Sequence, residues 1–568
     1  MCTGPKITAS ISNRLRLPKS CRIPLPCRRL VCQPASRSNS LDKIKCRRFQ
    51  AMSVDDDVYE EQLNHAIALS IQDQARTNEK VMCQSNRTNN PTPNPFLQDR
   101  KAMEEARLAR LATKRSRGLH DGDYGVEGVD MPARKRATMA SKEPSAAGVS
   151  VPFPEGVVKR TWVQGYSRSS DDIKIEEILQ KDQLKLALLS SFQWSEPWLL
   201  TKIDVSRTKV ILAAFAADEL QKQAMRSNSP ENIKFCFPAM HGHGAMHSKL
   251  QILKFDDYLR IMVFLIDLPL LTLADQPCSS TPFLTQLQLF LGAMGIDDGM
   301  ISSLSKYDFS KTEDLGFVYS RPGWHTGSAF SDVGYAGLGK AVAALGLATS
   351  EPVQVDVACA SLGAIKNDLV QGIYHACQGY VDETTQPESS LAGRDKPTKN
   401  VVDMQQVFRI YFPSHDTVAK SRGGTRAAGT ICFQEKWWRA TTFPSELMRD
   451  CVNTRDGLLM HSKIILVHCN GSTVNDRVAK PTWAYVGSAN LSESAWGRIV
   501  KDKATGRPKI LCRNWECGVI IPVRTAPASA ETGQPTNLDM FKGVVPVPMK
   551  TPGPRYSKNT RPWFFLHA

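Results

Sequence analysis

Met246-His247-Ser248-Lys249-Leu250-Gln251-Ile252-Leu253 and Met460-His461-Ser462-Lys463-Ile464-Ile465-Leu466-Val467 follow one pattern, with their histidines 214 residues apart. Each copy reads as a strand. On a strand, residues i and i+2 leave the same face, so each His and Lys project together while their neighbours enter the core. A single H-x-K carries little weight, because a lone histidine is more often structural than catalytic. Two copies on matching strands imply two similar halves, and a pseudo-twofold pairing of those halves brings both His/Lys pairs into one cleft.

The second copy is followed by Val486-Gly487-Ser488-Ala489-Asn490-Leu491-Ser492. This reads as a strand end turning into a helix that continues through Ala495-Trp496-Gly497. Asn490 projects from the turn, where an amide donates to a phosphate oxygen without adding charge. Two imidazoles, two ammonium groups and an amide make a phosphate-handling site. A zinc alternative rests on His241, His243 and His247, but that cluster lacks an acidic or thiolate companion, so neither metal nor cofactor is expected.

Working outward, residues 151–568 alternate apolar strands with amphipathic helices. Segments 210–215 and 263–268 read as buried strands, 184–192 as a helix and 482–487 as a strand entering a turn. That texture predicts an α/β layered fold.

The paired H-x-K motifs, with Gly487-Ser488-Ala489-Asn490-Leu491-Ser492 and Ala495-Trp496-Gly497, resemble the phospholipase D superfamily and, within it, the tyrosyl-DNA phosphodiesterase family. The likeness runs from about Phe153 to Trp563. It includes Ala360-Ser361-Leu362-Gly363, Tyr411-Phe412-Pro413-Ser414 and Trp515-Glu516-Cys517-Gly518-Val519. The resemblance implies two αβα sandwich halves, 151–328 and 329–568, related by a pseudo-twofold axis and preceded by a disordered N-terminal region. It also implies a two-step reaction without metal that frees a DNA 3′ end of a covalent adduct, such as a topoisomerase I peptide, and leaves a 3′-phosphate. In that reaction His247 is the nucleophile and forms a phosphohistidine, while His461 is first general acid and then general base. Lys249, Lys463 and Asn490 hold the nonbridging oxygens, and Glu516 orients His247. Ser361 and Ser488 are candidate substrate contacts.

One piece of the family pattern is missing. The first H-x-K strand should continue into a turn bearing its own Asn, yet Leu259-Arg260-Ile261 passes almost directly into Met262-Val263-Phe264-Leu265-Ile266-Asp267. The loss amounts to about 20 residues, the size of a short connection with its flanking strand end. Asp267 falls near the lost Asn by counting, but an anion cannot donate to phosphate. A second reading follows, a DNA-end- or ubiquitin-binding product with impaired catalysis. A lipid phospholipase is disfavoured, because Lys254 and His468 stand where that class places the Asp of H-x-K-x4-D.

The 568-residue chain carries a formal charge of +16, but residues 1–50, with twelve Lys/Arg and the single acid Asp42, hold +11 of it. Any DNA groove is therefore local. The leader has two readings, a mitochondrial presequence or translated sequence upstream of Met52. Residues 51–78 read as a helix whose Leu63, Ala66, Ile67 and Ser70 resemble a ubiquitin-interacting motif. Residues 79–150 form a linker whose Arg134-Lys135-Arg136 cluster suggests nuclear import. None of the fifteen cysteines forms a C-x-x-C pair, so neither a disulfide frame nor a zinc module is indicated. With no membrane-length apolar run and no secretory leader, the expectation is a soluble, monomeric intracellular protein.

Overall fold

The computed structural model describes residues 151–565, apart from 193, 217, 243, 273–279, 382–401, 470–480 and 524–537. The leader, the helix expected at 51–78 with Leu63, Ala66, Ile67 and Ser70, and the linker 79–150 lie outside the described residues.

Two mixed sheets organise the described chain. The first contains Leu186–Ser190 (β1), Lys209–Ala213 (β2), Ile233–Cys236 (β3), Gln251–Lys254 (β4), Tyr258–Met262 (β5) and Ile266–Pro269 (β6), in the order β3-β2-β1-β4-β5-β6. Strands β1 to β3 are parallel, and β4, β5 and β6 add antiparallel on the other side of β1. The second contains Gly316–Ser320 (β7), Val353–Ala358 (β8), Phe408–Phe412 (β9), Met448–Asp450 (β10), Lys463–Cys469 (β11), Thr482–Gly487 (β12) and Glu516–Pro522 (β13). Its order is β10-β9-β8-β11-β12-β13-β7. Strands β8 to β10 are parallel, and β11, β12 and β13 add antiparallel beside β8. The connectivity of the first sheet is thus repeated strand for strand, with β7 as an extra edge. The doubled H-x-K marks a doubled sheet.

Two expectations are corrected. Segment 184–192 is not a helix but contains β1, the central strand of its sheet. Leu188 enters one core, while Ala187 and Leu189 enter another on the opposite face. A strand buried on both faces shows no polar alternation, so its apolar run imitates a helix. The halves also do not divide at 328/329, because β7 lies before that point and pairs with β13 in the second sheet. Edge pairing depends on unfilled backbone hydrogen bonds along β13, which chain order does not reveal.

Helix Pro282–Met294 (α1) joins the layers. The Thr281 side chain accepts from the Leu284 N–H, proline opens the first turn, and Gly295 closes the helix at φ 82°. Its buried Phe283, Leu287, Phe290 and Leu291 enter the same core as Ile252 of β4 and Ile464 and Leu466 of β11. Burial stabilises by about 1.5–3 kcal/mol for each such side chain, so one apolar body ties the two sheets together. Helices Gly334–Ala344 (α2) and Asn367–Cys377 (α3) pack on each other, α2 against β7 and α3 against β8. Among the described residues, no helix is long and apolar enough to cross a membrane.

Candidate active site

The first motif lies just ahead of β4. Met246, Ser248 and Leu250 are buried, whereas His247 and Lys249 between them are only partly so. The alternation expected of an extended segment is therefore present. Ser248 Oγ lies 2.7 Å from Ser190 Oγ, which also accepts from the Leu250 N–H at 2.9 Å, fixing the inward face. The outward face is held by the other half. Trp515 N–H donates to the Ala245 carbonyl at 2.9 Å and His247 N–H to the Trp515 carbonyl at 3.0 Å. These bonds join the first motif to the residue that precedes β13.

Glu516, the first residue of β13, is 1% exposed and its Oε2 lies 2.9 Å from His247 Nδ1. Ser488 Oγ donates to the same oxygen at 2.5 Å, and Asn514 Nδ2 donates to Oε1 at 3.1 Å. Burial raises the Glu516 pKa, but His247, Lys249 and the Ser488 bond outweigh it, and the carboxyl is held below its usual range as an anion. For His247, burial is the strongest influence and lowers the pKa. Glu516 opposes this, Lys249 and Lys463 add to it, and the net direction is down. The result is a neutral imidazole with Nδ1 engaged and Nε2 available, the state a nucleophile requires.

In both motifs the lysine folds back, Lys249 Nζ donating to the His247 carbonyl at 2.8 Å and Lys463 Nζ to the His461 carbonyl at 2.7 Å. The imidazoles differ. His247 is drawn to Glu516, while both ring nitrogens of His461 lie 3.1 Å from Lys463 Nζ. Lys463 is 3% exposed, and burial, then Lys249, push its pKa down to about 7 against the pull of Glu516. The outer face of His461 is open to solvent. Desolvation of its inner side, then Lys463, Lys249 and His247, push it well below its ordinary value. These mutual influences put both His/Lys pairs in one electrostatic environment.

Asn490 stands in the turn after β12. The Ser361 and Ala360 N–H groups donate to its Oδ1 at 3.1 and 3.3 Å, which leaves Nδ2 as the end that can meet a ligand. The helix after the turn is one turn long, Glu493–Trp496, capped by the Ser492 side chain. Gly487 and Gly518 flank the site beneath Tyr485. A Cβ on Gly518 would meet the Tyr485 ring at 2.2 Å, and one on Gly487 would meet its hydroxyl oxygen at 2.3 Å. Both motif glycines are required by close packing.

The contacts and charge influences above bring His247, Lys249, His461, Lys463 and Glu516 together, and Asn490 stands in the turn that follows Gly487, the residue opposite Lys463. Ser361 adjoins them through its backbone. Ser488 needs correction, since it is 1% exposed and its Oγ serves Glu516 and the Cys517 N–H rather than a substrate. Asn514 was not anticipated. Its only signal is the i, i+2 relation to Glu516 along an extended segment, which puts both side chains on one face.

Among the described residues, the first half supplies no counterpart to Asn490 or Glu516. In the second half β12 runs on until Gly487 lies opposite Lys463, and the chain then continues to Asn490. In the first half β5 ends at Met262, opposite Gln251, and a turn at Val263 and Phe264 leads straight into β6. The hairpin stops short, yet its ladder is regular. Asp267 is fully buried and paired with Arg260 at 2.6 and 2.8 Å, so it is a structural anion. Among the described residues, no group of three or more His, Cys, Asp or Glu could hold a metal ion.

The chain is similar to several known proteins. A "Probable tyrosyl-DNA phosphodiesterase" of Caenorhabditis elegans is 22% identical over 229 residues, 38% of this chain and 45% of that protein, so the match spans under half of the relative. A crystal structure of the yeast tyrosyl-DNA phosphodiesterase is 18% identical, with 69% of this chain and 96% of that one covered at a TM-score of 0.48. A histidine-to-asparagine mutant of the yeast protein gives 19% identity, coverage of 70% and 96%, and a TM-score of 0.47. The family model for tyrosyl-DNA phosphodiesterase matches residues 157–557, an interval that holds both H-x-K motifs, Asn490 and Glu516, and the chain belongs to that family.

Proposed function

We propose that this chain is a DNA-repair phosphodiesterase that hydrolyses 3′-phosphotyrosyl and other 3′ adducts through a phosphohistidine intermediate. The observation that carries the reading is the His247 Nδ1 to Glu516 Oε2 contact of 2.9 Å, which leaves Nε2 of a neutral ring available in surroundings shared with Lys249 and Lys463. His247 attacks phosphorus, the adduct oxygen leaves with a proton delivered at His461, and Lys249, Lys463 and Asn490 stabilise the charge gathering on the nonbridging oxygens. Water, deprotonated at His461, then opens the phosphohistidine and leaves a DNA 3′-phosphate. The substrate is an adducted DNA end, single-stranded or frayed, and the enzyme acts as a monomer in the nucleus.

Cleavage of a 3′-phosphotyrosyl oligonucleotide in the presence of chelator tests the reading. It requires product carrying a 3′-phosphate and an acid-labile adduct on His247 when the reaction is quenched early. No cleavage by folded protein refutes it. A second reading, a DNA-end-binding form with impaired catalysis, is favoured by the short first-half hairpin, whose turn offers Val263, Phe264 and Leu265 where a donor would stand. Undiminished affinity for DNA ends without turnover identifies that form. The ubiquitin-binding proposal at Leu63, Ala66, Ile67 and Ser70 is separate, and titration of labelled ubiquitin with the full chain and an Ala66→Arg variant tests it.

A further inference from the structure

Between Asn490 and Glu516 the chain leaves the second sheet and returns through a hairpin of its own. Arg498–Lys501 and Pro508–Cys512 pair antiparallel, and Gly323–His325 adds to the other edge of Pro508–Cys512. Residues paired across a sheet share a face, as do residues two apart on a strand. His325, Ile510 and Ile499 form one row, in which His325 and Ile510 are buried. The next row, Trp324, Leu511 and Arg498, therefore lies on the opposite, open face together with Lys509 and Val500. Trp324 is 44% exposed, and Lys509 Nζ lies 4.7 Å from the centre of its ring.

Cations concentrate on this sheet. From Glu493 to Arg513 the chain holds six Lys/Arg and two acids, a net +4, although it carries only +5 of its +16 beyond residue 50. The two acids do not cancel the patch. Asp502 meets Lys509 at 3.0 Å and Glu493 meets Arg498 at 3.8 Å, but ion pairs this open to solvent hold little energy and leave both cations able to take another anion. Lys503 and Arg507, exposed in the turn, carry the charge to the hairpin tip. The base of the sheet is anchored beside the catalytic residues. Ser320 pairs with Glu516, and Trp324 is four residues farther along, so at most about 14 Å away. Gly244, three residues before His247, lies so close to the end of the hairpin that a Cβ on it would meet the Arg513 carbonyl oxygen at 1.8 Å. Between Ser320 and Trp324, Arg321 has a buried Nε that meets no acceptor among the described residues.

We propose that this open face is a DNA track, on which Arg498 and Lys509 take backbone phosphates and Trp324 stacks on a base of the strand whose 3′ end is held at His247. The inference rests on the phosphodiesterase reading above and extends it from the scissile phosphate to the DNA beyond. Charge selects a polyanion, the exposed indole selects one with planar rings, and the attachment of the sheet at Glu516 sets it alongside the bound strand. At 3.4 Å per nucleotide of a stacked strand, 14 Å is about four nucleotides, so only longer DNA reaches the track.

Two 3′-phosphotyrosyl oligonucleotides, of three and of fourteen nucleotides, test the track in single-turnover cleavage. If the native protein cleaves neither, the phosphodiesterase reading itself fails and the track falls with it. If it cleaves them, the double variant Arg498→Gln, Lys509→Gln is expected to raise the half-saturating concentration of the fourteen-mer about 10-fold or more, to leave that of the three-mer within about 2-fold, and to keep the maximal rate. The slope of log affinity against log salt for the fourteen-mer is expected to shrink by about 1.4, the loss of two phosphate contacts. Trp324→Ala is expected to weaken the fourteen-mer about 5-fold or more, and this loss should vanish when nucleotides four to eight from the 3′ end are abasic. An unchanged fourteen-mer, or equal losses on the two lengths, overturns the proposal. Losses that grow with a longer peptide on the 3′ side rather than with longer DNA also overturn it, and assign the face to the protein part of the adduct.

Discussion

Glu516 carries its charge at a depth where an isolated carboxyl would take up a proton. Three donors, His247, Ser488 and Asn514, replace water around it. Glu516→Gln keeps the shape but removes the anion that sets the His247 tautomer, so single-turnover cleavage is expected to fall about 10²–10⁴-fold with the melting temperature little changed. A fall below 10-fold would demote Glu516 to a structural residue. The histidines also set an acid limit. The folded-state pKa values of His247, His325, His461 and His468 lie below the usual value of 6.5. The unfolded chain therefore binds more protons below about pH 6.5, and stability present above that pH is lost as the pH drops. Urea midpoints at pH 7 and pH 5 check the sign, with the lower midpoint expected at pH 5. At this scale the doubled His and Lys were readable because the motif states its own partner. Ser488 was misread because a strand-end serine looks alike whether it faces substrate or supports a carboxylate.

The hairpins decide how complete the site is. Asn490 is held by two backbone amides, so Asn490→Ala is expected to cost about 10²–10³ in rate, and Asn490→Asp as much, because a carboxylate cannot donate. In the first half the same element ends at Met262. Extending it between Met262 and Ile266 with an Asn-bearing turn that continues the β5 ladder is expected to raise the cleavage rate by a similar factor, and no gain would show that the second half suffices. Asp267, the residue nearest by counting, belongs to stability instead. Asp267→Ala strands Arg260 and is expected to lower the unfolding free energy by about 3–5 kcal/mol in urea titration, with the folded fraction still cleaving at its normal rate. Strand β12 occupies its expected 482–487 because the Gly-Ser-Ala-Asn turn marks where it ends. Strand β1 was misread because burial on both faces erases the pattern that identifies a strand.

Among the described residues, two copies of one sheet close around a shared core, and side chains of both meet at the seam. The seam is specific. Trp515 bonds to Ala245 and His247, and its indole Nε1 donates to the Ala239 carbonyl at 3.0 Å, so Glu516 and the His247 it contacts are set by the same few contacts. The doubling was evident in the chain because the motifs echo one another. The exchange of β7 between halves was not, since edge pairing leaves no periodic trace. The most direct test of the central claim is single-turnover cleavage of a 3′-phosphotyrosyl oligonucleotide, with chelator present, by the native protein, His247→Ala and His461→Ala. The site described here predicts a 3′-phosphate product from the native protein, none from His247→Ala, and a loss of about 10²-fold or more with His461→Ala. Cleavage that survives the loss of His247 would contradict it.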